Sequence, residues 1–147
     1  MEKDFDKWND VKKQTNKKYI IPSAHERELW WVCFGLNVGV EIDGKHENYE
    51  RPAIVIKKFN NEMIWVLPTT AQDKGAKFHQ KFNFGDQEFF VALTQIRTIS
   101  TKRLLRKSGM ISKTDFDLII KRICVFFQTH KDPLLADLLG GRSHNHI

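Results

Sequence analysis

Cysteine is scarce in this chain of 147 residues: Cys33 and Cys124 stand far apart, each in apolar surroundings. Two isolated thiols do not build a disulfide framework, so both are expected to be small core residues in a reduced, cytoplasmic protein. Long apolar runs are missing as well. None approaches the roughly 20 residues of a membrane span, and the opening MEKDFDKWND is too charged for a secretory signal. The Gly-rich stretch after Gly35 lacks the GK[ST] ending and the following helix of a phosphate-binding loop. His144 and His146 lie close together but have no rigid third ligand nearby, so no metal or other cofactor is expected. There is no internal repeat and no low-complexity tract. Acidic residues are absent from Gln95 to Thr114, a stretch holding Arg97, Lys102, Arg103, Arg106, Lys107 and Lys113.

That uneven charge leads to what is present. The net charge of +6 favours a polyanionic partner. A second basic group, Lys74, Lys77 and Lys81, follows the Thr69-Thr70 pair. Both segments are expected beside a phosphate backbone, against the alternative of a solvated basic face.

The stretch from Trp30 to Gln72 organises the rest. Two apolar runs, PAIVIKKF and MIWVLP, flank Asn60-Asn61, a pair able to hold two φ > 0 positions at the tip of a tight hairpin. Arg51 stands just ahead of the first strand and Thr69-Thr70 just past the second. An antiparallel hairpin brings these ends together, so Arg51 and Thr70 are expected to be neighbours. Beside them lies a polar loop, Gly35 to Glu50, long enough to be functional or mobile.

The other elements are shorter. Phe5, Trp8 and Val11 predict an amphipathic helix over 4–17, with Trp8 anchoring it to the body of the fold. Leu29 to Phe34 reads as a buried strand. KFHQKFNF alternates, with Phe78, Phe82 and Phe84 on one face and His79, Lys81 and Asn83 on the other. Glu88 to Leu93 and Gln95 to Ser100 read as further strands. Ser112 and Asp115 form a capping-box-like start to a helix whose apolar stripe is Phe116, Ile119, Ile120, Ile123 and Phe127. Asp132-Pro133 begins a short helix ending at Gly140-Gly141, and the tail RSHNHI is expected to be disordered. Many short strands with turn signals between them predict a small barrel.

The ordered set Trp30-Trp31, Phe34-Gly35, Asn37-Val38-Gly39, Glu41, Gly44, Arg51-Pro52, Pro68-x-Thr70 and Gln95-Ile-Arg97-Thr98-Ile99 resembles the MazF/PemK toxins of type II toxin–antitoxin systems. The match runs from about Glu28 to Phe127. The resemblance implies a mainly β fold with helices (α+β): an SH3-like small β-barrel with a C-terminal helix. The expected organisation is an N-terminal helical extension and linker (1–28), the barrel with its helix (29–130), and a short helix with a tail (131–147). It also implies a cytoplasmic, metal-independent endoribonuclease that cuts single-stranded RNA through the neighbouring 2′-hydroxyl. The partners it implies are a second copy in a homodimer and a cognate antitoxin that blocks the cleft. By position, Arg51 and Thr70 match the family's catalytic arginine and threonine. Some members carry an acid just before the glutamine of the QIRTI-like segment; here that residue is Thr94.

The residues fit the chemistry in part. RNA self-cleavage needs a deprotonated 2′-hydroxyl, a stabilised phosphorane and a protonated 5′-oxygen. Arg51 suits the second task, because its planar fork matches phosphate and stays charged. Thr70 can hydrogen-bond a non-bridging oxygen or orient the 2′-hydroxyl. For proton transfer the candidates are His79 and Glu41, with His46 behind them. His79 can instead be an exposed strand residue, and Glu41 a loop-organising hydrogen bond or a salt-bridge partner of Arg51. RNA contacts are expected from Thr69, Gln72, Lys74, Lys77, Lys81, Gln95 and Arg97. Two other readings stay open: a barrel that binds RNA or DNA without cutting, and a protein-interaction module.

Overall fold

A computed structural model describes residues 2–73, 75 and 77–128. The expected helix after Asp132-Pro133, the tail with His144 and His146, and Lys74 lie outside the described residues. The chain order is α1 (Phe5–Asn16), β1 (Glu28–Cys33), β2 (Glu50–Lys58), β3 (Met63–Thr70), β4 (His79–Phe84), β5 (Gln87–Ala92), β6 (Arg97–Ser100), β7 (Leu104–Met110) and α2 (Lys113–Phe127). None of the described helices is long and apolar enough to cross a membrane.

The seven strands form one antiparallel sheet in the order β4-β5-β3-β2-β1-β7, with β6 also on β3. Strand β3 is the pivot. One edge pairs with β2, and the other is divided, Met63–Val66 to β6 and Thr69–Thr70 to β5. Both faces of the hairpin are buried, which explains why β2 reads as the unbroken apolar run Ala53–Ile56. Ala53 and Val55 join Trp30, Val32, Phe34, Ile64 and Val66 in one cluster. Ile54 and Ile56 join Leu29, Leu67, Phe82, Val91 and the helix residues Ile119 and Ile123 in a second.

The architecture is the expected mainly β fold with helices, and its sheet is not closed by strand pairing among the described residues. Among the described residues no pairing joins β4 to β7. Helix α2 covers the second cluster instead, so a packed apolar stripe does what a closing strand pair would do. Ser112 caps this helix by accepting from the Asp115 N–H at 3.1 Å. The Asp115 carboxylate does not complete the capping box. It accepts from the Asn83 N–H at 3.2 Å and ties the helix to β4. Ile119 and Ile123 are buried, whereas Phe127, counted in the same stripe, is exposed.

Two further expectations are corrected, and one strand is added. Neither Asn60 nor Asn61 has positive φ. A register shift between Val55 and Lys57 and a longer connection remove the need for it, and the Asn60 side chain closes the turn by accepting from the N–H groups of Glu62 and Met63. The basic stretch after Ser100 contains a strand, β7, paired with β1 and interrupted by two register shifts that blur its alternation. Cys33 is buried as expected, with burial pushing its thiol pKa up, but Cys124 is exposed on α2.

The N-terminal helix is as its spacing predicts. The Asp4 carboxylate accepts from the Lys7 N–H at 3.0 Å as N-cap, and Trp8 is buried with Val11 packed partly beside it. Phe5, on the same predicted face, is exposed.

Candidate active site at the open end of the hairpin

The hairpin register sets Arg51 opposite the Thr69-Thr70 end of β3, since Ala53 faces Pro68. The Arg51 guanidinium donates from Nε to the Asp43 carbonyl at 2.8 Å and from Nη1 to the Thr69 carbonyl at 3.1 Å. Among the described residues its Nη2 group has no protein hydrogen-bond partner. Burial pulls the Arg51 pKa down and the Asp43 carboxylate opposes the shift, but an arginine stays charged through such changes. The residue lines a cleft of about 370 Å³ together with Thr70, His46, Lys45, Glu50 and Gln87, between Trp31 and Phe89.

The two threonines divide their labour. Thr69 is buried and donates its hydroxyl to the Pro52 carbonyl at 3.0 Å, which locks β3 to β2. That bond takes up the hydroxyl expected to contact RNA. Thr70 is half-buried in the cleft, and its Oγ1 accepts from the Gln72 N–H at 3.2 Å, leaving its own proton free to donate.

The loop between β1 and β2 is ordered by its own hydrogen bonds. Gly44 donates to the Gly35 carbonyl at 2.9 Å, and Lys45 and Glu50 exchange a bridge pair. A Cβ on Gly44 would collide with the Tyr49 carbonyl, so only glycine allows this backbone crossing. Lys45 and His46, which follow the crossing, line the same cleft as Arg51. His46, at φ 65°, is thereby the histidine of the cleft. The Glu50 carboxylate accepts both Arg106 Nη groups, at 3.0 and 2.8 Å. That fork holds its pKa below the usual carboxylate range, and Arg106 itself lies over the Trp31 ring at 4.6 Å.

Glu41 and His79 are not brought to this cleft. Glu41 accepts from the Val38 N–H at 2.9 Å and lines a separate hollow with Asn37, Gln95 and Arg97. The carboxylate acting on Arg51 is Asp43, while Glu41 acts on Arg97, so the expected Glu41–Arg51 salt bridge does not form. His79 sits on β4, its Nδ1 3.2 Å from the Gly75 carbonyl and its own carbonyl accepting from Arg122 at 2.7 Å. His46 could have been preferred from sequence, being nearer Arg51 within the loop that the hairpin brings back.

The acid-free stretch proves to be internally paired. Arg97 donates to the Phe34 carbonyl at 3.4 Å, and Arg103 to those of Cys33 and Phe34 at 2.9 and 3.3 Å. Lys102 donates to the Asn16 carbonyl at 2.9 Å. Lys107 pairs with the buried Glu28, Arg106 with Glu50, and Lys113 with Asp117. The expected phosphate-binding face is therefore largely a set of internal clamps, because β7 lies along β1 and borrows partners from it. Of the remaining candidates, Gln95 donates to the Val40 carbonyl at 3.0 Å and accepts from the Ile42 N–H at 3.1 Å, stapling the loop. Lys81 pairs with Glu88 at 3.4 Å. Gln72 and Lys77 are exposed. Among the described residues no three His, Cys, Asp or Glu side chains converge as a metal site requires.

The fold has well-defined relatives. The chain superposes on MazF from Deinococcus radiodurans with a TM-score of 0.61 and 17% identity, covering 74% of this chain and 98% of that one. The toxin MazF-mt6 of Mycobacterium tuberculosis gives 0.51 and 16%, covering 69% and 96%. A mycobacterial endoribonuclease in complex with its cognate antitoxin gives 0.55 and 9%, covering 75% and 100%. At such identities these likenesses speak to the fold alone, and no curated protein is close enough in sequence to match. The family model for PemK-like, MazF-like toxins matches residues 25–127, well over half of the chain and the whole of the sheet and α2. This chain belongs to the PemK-like, MazF-like toxins of type II toxin–antitoxin systems.

Proposed function

We propose that this protein is an endoribonuclease that cleaves single-stranded RNA by attack of the 2′-hydroxyl on the adjacent phosphate. The observation that carries the reading is Arg51. It is a guanidinium pinned by two backbone carbonyls, with Nη2 unpartnered among the described residues, in one cleft with the Thr70 hydroxyl. A scissile phosphate seated there receives hydrogen bonds already in place as charge develops on the phosphorane, and losing one such donor typically costs about 2.7–4 kcal/mol of barrier. Thr70 donates to a non-bridging oxygen or orients the 2′-hydroxyl.

The 2′-oxygen forms a bond to phosphorus as its proton leaves. The bond to the 5′-oxygen breaks, and that oxygen takes up a proton, giving a 2′,3′-cyclic phosphate and a 5′-hydroxyl. His46 is the cleft group placed to carry a proton, in place of Glu41 and His79. Glu50 is held anionic by Arg106 and is a poor base for the purpose. This chemistry requires no metal.

The family and its solved complexes support a cognate antitoxin as partner. A second copy of this chain is the proposed occupant of an apolar groove of about 720 Å³ between α2 and the β3–β6 edge, lined by Ile56, Trp65, Ile120, Ile123 and Phe127. The deciding experiment is incubation of the purified protein with a long unstructured RNA in EDTA, beside Arg51→Ala. Cuts ending in 2′,3′-cyclic phosphate, lost in the variant and at 2′-deoxy positions, are the expected result. Intact RNA bound in a salt-sensitive way would sink the proposal in favour of a non-catalytic binder.

A further inference from the structure

The structure assigns a role to the helix outside the family-matched segment: α1 positions Arg51 for the reaction, with Lys3 and Trp8 as positioning residues. This inference rests on the nuclease reading of the Arg51 cleft. One of the two carbonyls that aim the guanidinium, Thr69, belongs to a buried strand. The other, Asp43, belongs to the loop, and the loop is held from outside by Lys3, just ahead of α1, and by Trp8 within it.

Two grips do the holding. Lys3 Nζ reaches the Asn37 carbonyl at 2.6 Å and the Asp43 carboxylate at 2.8 Å. The same carboxylate accepts from the Asn37 N–H at 2.6 Å, so Lys3 closes a ring across the loop. The carbonyl of Asp43 then receives Arg51 Nε at 2.8 Å. A continuous path of polar contacts thus runs from the start of the chain to the guanidinium.

The second grip is apolar. The Trp8 indole occupies the space that a Cβ on Gly35 would fill, at φ 80°, and meets the Tyr49 ring edge-on at 5.4 Å between centroids. The Tyr49 carbonyl in turn accepts from Phe34 and Gly35 at 2.8 and 3.1 Å. Trp8 therefore clamps the points where the loop leaves and rejoins the sheet. Lys102, bonded to the Asn16 carbonyl, holds the far end of α1.

The family match begins at residue 25, so Lys3 and α1 lie outside the segment that the family model describes, yet they reach the loop that carries Asp43. A displacement of the reacting groups by 1 Å can cost about 100-fold in rate, so a tether on the loop acts on turnover.

The test compares Lys3→Met, Lys3→Arg, Trp8→Ala and Lys12→Met, the last on the exposed side of the same helix. Single-stranded RNA cleavage is measured well below each variant's melting temperature. Lys3→Met is expected to lower kcat about ten-fold with KM nearly unchanged, Lys3→Arg to restore it, and Lys12→Met to match wild type. Hydrogen exchange at Arg51 Nε–H, followed by NMR, is expected to accelerate in Lys3→Met. Unchanged kcat and unchanged exchange in Lys3→Met overturn the inference; Trp8→Ala adds to it only if the variant folds. If wild type cuts no RNA but the exchange still accelerates, the tether stands and the nuclease reading fails.

Discussion

Arg51 and Thr69 are joined across the open end of the hairpin, the guanidinium Nη1 donating to the Thr69 carbonyl at 3.1 Å. With the Asp43 carbonyl on Nε, this bond turns a flexible side chain into a fixed fork whose Nη2 has no hydrogen-bond partner among the described residues. A lysine keeps the charge but lacks that planar geometry. Arg51→Lys is therefore expected to lose about 100-fold or more in kcat while the protein stays folded, and circular dichroism beside single-turnover RNA cleavage checks both halves.

The neighbouring threonines separate chemistry from stability. Thr70→Val removes a cleft hydroxyl whose one hydrogen-bond partner among the described residues is the exposed Gln72 N–H, so activity is expected to fall with little change in Tm. Thr69→Val removes the hydrogen bond from a buried hydroxyl to the Pro52 carbonyl and is expected to cost about 0.5–1.5 kcal/mol of stability. Denaturant titration of the two variants beside their cleavage rates tests the contrast; reversed effects would refute it.

Gly44 carries the loop crossing. Gly44→Ala places a methyl against the Tyr49 carbonyl, backbone that cannot move without breaking the Lys45–Glu50 bridge. The loop is expected to open, with Tm lowered by several degrees and the His46 resonance shifting toward that of a solvated histidine.

Glu28 makes acid stability testable. Burial alone would raise its pKa, but the Lys107 ammonium and the His25 N–H lower it below the ordinary glutamate value of about 4.3. Because the folded value is the depressed one, the stabilisation is complete above the ordinary value and is lost as pH falls through the folded value. Melting temperature is therefore expected to drop on acidification below about pH 4, and Glu28→Gln to flatten that drop while lowering Tm at pH 7. An unaltered acid slope in the variant would remove Glu28 from the account.

His46 and His79 give the last contrast. His46→Ala is expected to lower kcat about 100-fold or more, and His79→Ala to leave it near the wild-type value, as single-turnover RNA cleavage would show.

Read from residues alone, the hairpin, the α2 stripe, the Ser112 cap and the Trp8 anchor were legible, because each depends on periodicity or on chemistry within a few positions. The pairing of Arg51 with the end of β3 was legible for a related reason: in an antiparallel hairpin, sequence distance from the turn sets the register. The partners of Arg97, Arg103, Arg106 and Lys107 were not, since they lie in β1, just past it at Phe34 and at the start of β2, and the β1–β7 register contains two shifts that no local pattern announces. The choice of His46 over His79 likewise depended on a backbone crossing at Gly44. Local composition thus determined which groups the protein owns and where its regular elements run. Tertiary structure alone decided which charges are spent on carbonyls and carboxylates and which remain for a ligand, because that depends on contacts between segments far apart in the chain.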